Sequence, residues 1–156
     1  ARPRQAQPEK QETPEPAPRS MGAGSLREVR ARMAPHLAIS LGALLGAPAR
    51  FVVAGWAAQR WGANFPIGTL LINILGSLVL GFYLTLVTER FSGRPVTRLF
   101  VATGFLGSFT TFSTFSVETL RLLERGDPAG ACINAAASLL LTLAAVITGM
   151  LAARAL

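Results

Sequence analysis

Four long runs of apolar residues, almost free of charge, constrain this chain more than any other feature. They span roughly His36–Trp56, Ile67–Thr88, Val96–Leu123 and Ala129–Ala153. A helix needs about 20 such residues to cross the hydrocarbon core of a bilayer, and each run is long enough. The helices of a soluble four-helix bundle would each carry a charged stripe for water; these runs lack one. The hydrophobic fraction is 51% although the first 35 residues are polar. The expected fold is therefore an all-α membrane protein with four transmembrane helices and short connections. A lipid bilayer is its surroundings, and a multi-pass place in the cell membrane follows.

Residues 1–35 form a different kind of sequence. Pro3, Pro8, Pro14, Pro16 and Pro18 alternate with charges, and large apolar side chains are scarce. Such a segment cannot bury enough surface to offset the entropy of ordering, so a disordered tail is expected over 1–35 and a transmembrane domain over 36–156. A cleaved secretory signal is not expected, because the tail puts the first apolar run too far from the start. The formal net charge of +7 raises the question of nucleic acid. Seven of the basic residues (Arg2, Arg4, Lys10, Arg19, Arg27, Arg30, Arg32) lie in this tail among Glu9, Glu12, Glu15 and Glu28, with no nucleic-acid fold signature. Nucleic acid is not the expected partner; basic residues beside the first span read as a topology signal and an attraction to anionic lipid. The one cysteine, Cys132, lies in the fourth run, which excludes an internal disulfide. With no paired carboxylates, His/Cys cluster or phosphate loop, no enzyme is expected.

The polar residues within the spans are ordered. Gly42 and Gly46 in the first form a G-x-x-x-G pair that lets another helix approach closely. Thr69, Asn73 and Ser77 in the second recur every four residues and form one stripe, as do Asn134, Ser138 and Thr142 in the fourth. The third contains GSFTTFSTFS, residues 107–116, in which Phe109, Phe112 and Phe115 rotate with hydroxyls. Glycine and consecutive Ser/Thr weaken a helix, so a break is expected at 107–111. Broken backbone at membrane depth is tolerated only where protein or a watery path surrounds it. Taken singly, these hydroxyls and amides are as readily interhelical glue as pathway. Arg50 either snorkels to an interface or rims a vestibule for anions, and Glu118 could pair with it or with another donor. His36 opens the first span, where an interfacial role suits it. The spans lack the acidic rings of cation pores; hydroxyls, amide N–H groups and the positive edges of aromatic rings all suit an anion. The residues themselves point to a path for a small anion.

The run Gly104-Phe105-Leu106-Gly107-Ser108-Phe109-Thr110-Thr111-Phe112-Ser113-Thr114-Phe115-Ser116-Val117-Glu118 closely resembles the CrcB/Fluc fluoride channels. So does Pro66-x-Gly68-Thr69-Leu70-x-x-Asn73, and so does an arginine after the glycine pair of the first span. The resemblance covers about residues 36–153 and implies an antiparallel, dual-topology dimer of four-helix subunits with two fluoride pores. It implies a structural sodium ion at the dimer centre, held by backbone carbonyls of the broken third helix, here Gly107 and Thr110. Phe112 and Phe115 would turn ring edges to fluoride, Asn73 would be the pore amide, and Ser113 and Thr114 would supply hydroxyls. Thr69, Ser138, Thr142 and Glu118 match the polar track, and Arg50 the vestibule arginine. Ser108 stands where many relatives carry a second glycine, which is expected to stiffen the break.

The function expected is a fluoride-specific channel that passively exports the anion from the cytoplasm and lowers its toxicity. A small dual-topology multidrug exporter is the alternative, but it would want a carboxylate embedded in the first span. A non-conducting membrane assembly subunit, with Ser and Thr only as glue, is the other. Arginines near the spans fall unequally: Arg27, Arg30, Arg32, Arg90, Arg94, Arg98 and Arg154 on the side of the termini, Arg60 and Arg125 opposite, with Arg121 at the end of the third span. That bias favours cytoplasmic termini. A homodimer is expected, with a heterodimer containing an oppositely biased paralogue as the other arrangement.

Overall fold

The computed structural model describes residues 23–89 and 95–156. Among the described residues, four helical spans are long and apolar enough to cross a membrane. These are α1 (Ala23–Trp61), α2 (Ile67–Glu89), a segmented third span over Pro95–Glu124, and α6 (Pro128–Arg154). The third span consists of α3 (Pro95–Arg98), a π-helical stretch (Leu99–Leu106), α4 (Gly107–Phe109) and α5 (Phe112–Glu124).

At 39 residues, α1 is about 58 Å long, well beyond the thickness of a hydrocarbon core. It starts at Ala23, so residues 23–35 are helical here and not the tail the sequence suggests; residues 1–22 lie outside the described residues. The local reason is composition. Leu26, Arg27, Glu28, Arg30, Ala31, Arg32 and Met33 are good helix formers, and Pro35 and Pro48 are both taken into the helix without ending it.

Both turns on the side opposite the termini use glycine in the left-handed region. Gly62 (φ 79°) closes α1, its N–H donating to Ala58 O at 2.9 Å, and Gly126 (φ 78°) closes α5. A residue with a Cβ is strained there, and glycine is not. Asp127 then caps α6, its Oδ1 accepting from Gly130 N at 2.8 Å, with Pro128 at the first helical position.

Packing pairs the helices alternately: α1 lies chiefly on the third span, and α2 chiefly on α6. In lipid the hydrophobic effect does not pull helices together, so close backbone approach must do much of that work. A Cβ on Gly42 would sit 2.7 Å from Phe105 N, and one on Gly149 would sit 2.8 Å from Phe82 N. Gly46 faces Phe105 O and Ser108 Oγ just as tightly, and Gly81 faces Val146 O. The outer surface is apolar, as lipid requires; Leu44, Phe51 and Leu140 are exposed.

Candidate functional site

The third span breaks over two residues, Thr110 (φ −76°, ψ 159°) and Thr111 (φ −154°, ψ 117°), both extended. This is narrower than the 107–111 break read from the sequence. Gly107 is helical (φ −64°, ψ −32°), and Ser108 is helical as well because its hydroxyl stays within its own helix. Ser108 Oγ donates to Gly104 O at 2.7 Å and Phe105 O at 3.1 Å.

Asn73, from α2, holds the break from outside. Its Nδ2 donates to Thr111 O at 3.0 Å, and its Oδ1 accepts from Thr111 N at 2.8 Å. The side-chain amide thus pairs with the N–H and the C=O of one residue, as a neighbouring strand would. One Nδ2 hydrogen is left over, because a carboxamide carries two. Thr111 then serves as the N-cap of α5, its Oγ1 accepting from Thr114 N at 3.2 Å. The same Oγ1 donates to Thr114 Oγ1 at 3.0 Å and lies 3.3 Å from Ser113 Oγ. In an unbroken helix Thr111 N would bond Gly107 O, and Thr114 N would bond Thr110 O. Both donors are diverted, to Asn73 and to Thr111 Oγ1, so the Gly107 and Thr110 carbonyls lose those partners.

A cavity of about 330 Å³ opens beside the break. Asn73 and Ser77 line it from α2, Thr111, Phe112 and Phe115 from the third span, and Ser138 and Thr142 from α6. No charged residue is among its lining residues. The two rings lie one turn apart on α5, centroids 5.4 Å from each other and tilted 42°. Phe112 is 78% exposed, so one flank of this wall is open in a single copy. Ser138 Oγ is buried with no hydrogen-bond partner among the described residues, whereas Thr142 Oγ1 turns back to Ser138 O.

Other expected residues lie elsewhere. Ser113 and Thr114 do not line this cavity; their hydroxyls gather round Thr111 on the exposed side of α5. Phe109 of the Phe rotation is core, buried against Gly76 and stacked on Phe105 at 6.1 Å. Asn134 of the α6 stripe is glue: it is 1% exposed and donates to Thr119 Oγ1 at 2.8 Å, tying α6 to α5. Thr69 and Glu118 line a second cavity of about 250 Å³, with Arg121 and Arg125. Thr69 and Asn73 are one turn apart on α2, as are Phe115 and Glu118 on α5, so the two cavities follow one another along the same helix faces. Arg50 lines neither cavity and is not paired with Glu118; among the described residues the ion pair formed is Arg154–Glu89, at 2.9 Å.

Thr111 and Ser77 are the polar lining residues missing from the expected site. Ser77 stands in the polar stripe, and the spacing of four was its signal. Thr111 is marked only as one of several hydroxyls, since capping a helix restart is a role no local pattern announces.

Residues 37–150 match the family described as CrcB-like protein, Camphor Resistance (CrcB). The chain belongs to that family. A relative from Roseiflexus sp. (strain RS-1), named fluoride-specific ion channel FluC, is 46% identical over 120 residues, covering 77% of this chain and 97% of its own length. One of the same name from Rhizobium etli (strain CIAT 652) is 43% identical over 118 residues, covering 76% and 94%. Another, from Legionella pneumophila (strain Lens), reaches 50% over 94 residues, covering 60% and 70%. These relatives are named as ion channels and not as enzymes, in agreement with a chain whose sequence carries no catalytic motif.

Proposed function

We propose that this chain is a fluoride channel that lets the anion leave the cytoplasm down its gradient, working as an antiparallel dual-topology dimer in the plasma membrane. The observation that carries this reading is the uncharged cavity beside the break, walled by Phe112, Phe115, Asn73, Ser138 and Thr142. Its free donors suit a small anion. Ser138 Oγ–H has no protein partner among the described residues, Asn73 has an N–H to spare, and the ring edges carry partial positive charge. None is a full charge, so an anion is held weakly enough to move on. The names of the relatives select fluoride from among small anions.

The physiology follows from acid–base chemistry. Hydrogen fluoride enters cells as a neutral weak acid, ionises in the cytoplasm and is trapped as the anion. A passive path for the anion then lowers its toxicity. The open flank at Phe112 favours a second copy to complete the pore wall. A sodium ion fits the break, since the Gly107 and Thr110 carbonyls have lost their helical donors and hard cations prefer oxygen ligands. These carbonyls would hold it and so join two subunits at their centre. The multidrug-exporter alternative needs a carboxylate in the transport cavity, and the lining has none.

Protein reconstituted alone into liposomes should release trapped fluoride, read with a fluoride electrode, and release chloride hardly at all. Equal fluxes would refute the reading, and no flux of either would favour a non-conducting subunit or an obligate heterodimer. Long incubation with a large organic cation in place of sodium should impair flux or dimer stability. Full activity after demonstrated removal of sodium would count against the structural ion.

A further inference from the structure

The hydrogen-bonding side chains of the central cavity run out at one level. On α2 the stripe of Asn73 and Ser77 is followed, four residues on, by Gly81; on α6 the stripe of Ser138 and Thr142 is followed, four residues on, by Val146. These two positions face each other, since a Cβ on Gly81 would meet the Val146 carbonyl. Hydroxyls resume one turn further along α2, at Thr85 and Thr88. Beyond this level two more cavities open toward the chain termini. One of about 340 Å³ lies between α2 and α6, with Thr85, Thr88 and Glu89 in its wall. The other, of about 580 Å³, lies between α2 and the third span, with Arg98 and Thr103. Among the described residues, Leu80 alone lines both of these and the central cavity as well. It is half-buried and one turn of α2 from Ser77. An ion leaving the central cavity for either outer one therefore passes the Leu80 side chain.

Resting on the reading of the chain as a fluoride channel, we propose that Leu80 is the neck of the path and excludes anions larger than fluoride there. Its neighbours in the cavity walls beyond that level include Leu84 and Val146, which are also apolar, so the neck offers no side-chain donor. An ion crossing it must bring its own water, and the smaller the ion, the more room is left for that water. Apolar constrictions control passage by how readily they stay wet. Ser77 and Thr142 on the inner side and Thr85 beyond take up the ion again as it leaves the neck. Asn73 and Ser138 thus hold an anion, and Leu80 decides which anion goes through.

Fluoride and chloride release from liposomes containing the full chain tests this. Leu80→Ala should lower the fluoride-to-chloride flux ratio at least about tenfold by admitting chloride, and Leu80→Val should lower it by a smaller factor. Leu80→Phe, which fills the neck, should cut fluoride flux at least about threefold. Val79→Ala, at the exposed neighbouring position on α2, should keep the parent ratio. Loosened packing lowers stability wherever it occurs, so a chloride leak confined to position 80 separates a neck from a packing residue. If Leu80→Ala fails to fold, the milder Leu80→Val carries the same test. A parent-like ratio in the folded Leu80 variants, an equal chloride leak in Val79→Ala, or undiminished fluoride flux in Leu80→Phe would each overturn the proposal. Parent protein with no fluoride flux would instead refute the channel reading itself.

Discussion

Asn73 and Ser138 line one cavity and do opposite things with their polar atoms. The Asn73 amide is bonded to both the N–H and the C=O of Thr111, so it braces the backbone as well as facing the path. Asn73→Leu would strand a part-buried N–H and C=O, at about 1–3 kcal/mol each, and a loss of about 2–5 kcal/mol is expected in a detergent unfolding titration. The Ser138 hydroxyl has no such partner to lose. Ser138→Ala should leave stability unchanged or slightly raised while lowering fluoride flux; a clear destabilisation would mean the hydroxyl is structural glue. For the rings, Phe112→Ile and Phe115→Ile keep bulk but remove the positive edge. An aromatic-edge contact is worth about 0.5–1.5 kcal/mol, so flux should fall roughly two- to tenfold with the protein still folded. Unchanged flux in both would return these rings to packing. The period of four on α2 and α6 made Asn73, Ser138 and Thr142 legible as one lining. It did not separate Ser138 from Asn134, because one stripe on a helix crosses from glue to cavity within a single turn.

The helices were easier to read than their ends. Length and apolarity locate all four spans, and the ends of α2 and α6 fall within one residue of the apolar runs. The start of α1 was missed by more than ten residues, since the charges over 26–33 mask a strong local helix preference. The break was placed correctly but drawn too wide. Glycine at 107 advertises freedom that the backbone does not use, whereas Thr110 and Thr111 adopt the extended conformations that β-branched residues favour. Glycine matters instead where helices touch. Gly46→Ala would drive a methyl into Phe105 O and Ser108 Oγ, while Gly55, on the same helix, has open space around it. Overpacking of this kind costs about 1–3 kcal/mol, and glycine in an open helix position costs roughly 0.5–1 kcal/mol relative to alanine. Gly46→Ala should therefore destabilise and Gly55→Ala should be neutral or stabilising. Equal effects would mean that α1 does not seat on the third span as described.

At the scale of the molecule, the open question is orientation. The arginine bias favours cytoplasmic termini, yet an antiparallel dimer needs both insertions; part of the bias, Arg90 and Arg94, lies outside the described residues. A single-cysteine label near each terminus, in cells expressing this chain alone, should react from both faces of the membrane if the homodimer is right. Labelling from the cytoplasm only, with fluoride flux appearing once a paralogue is supplied, would establish an obligate heterodimer instead. Sequence could not decide this, because charge counts weigh insertion and not the pairing that follows it. The alternating helix contacts have a consequence for biosynthesis as well. The first helix to leave the ribosome finds its main neighbour only when the third arrives, and the second waits for the fourth. No consecutive hairpin holds most of its own contacts, so the half-made chain resides in the membrane with its glycine-lined faces bare. Quality-control proteases that patrol the bilayer would meet an intermediate whose helices still lack their main neighbours. A nascent chain stopped before Pro128 is one the cell should clear, not store.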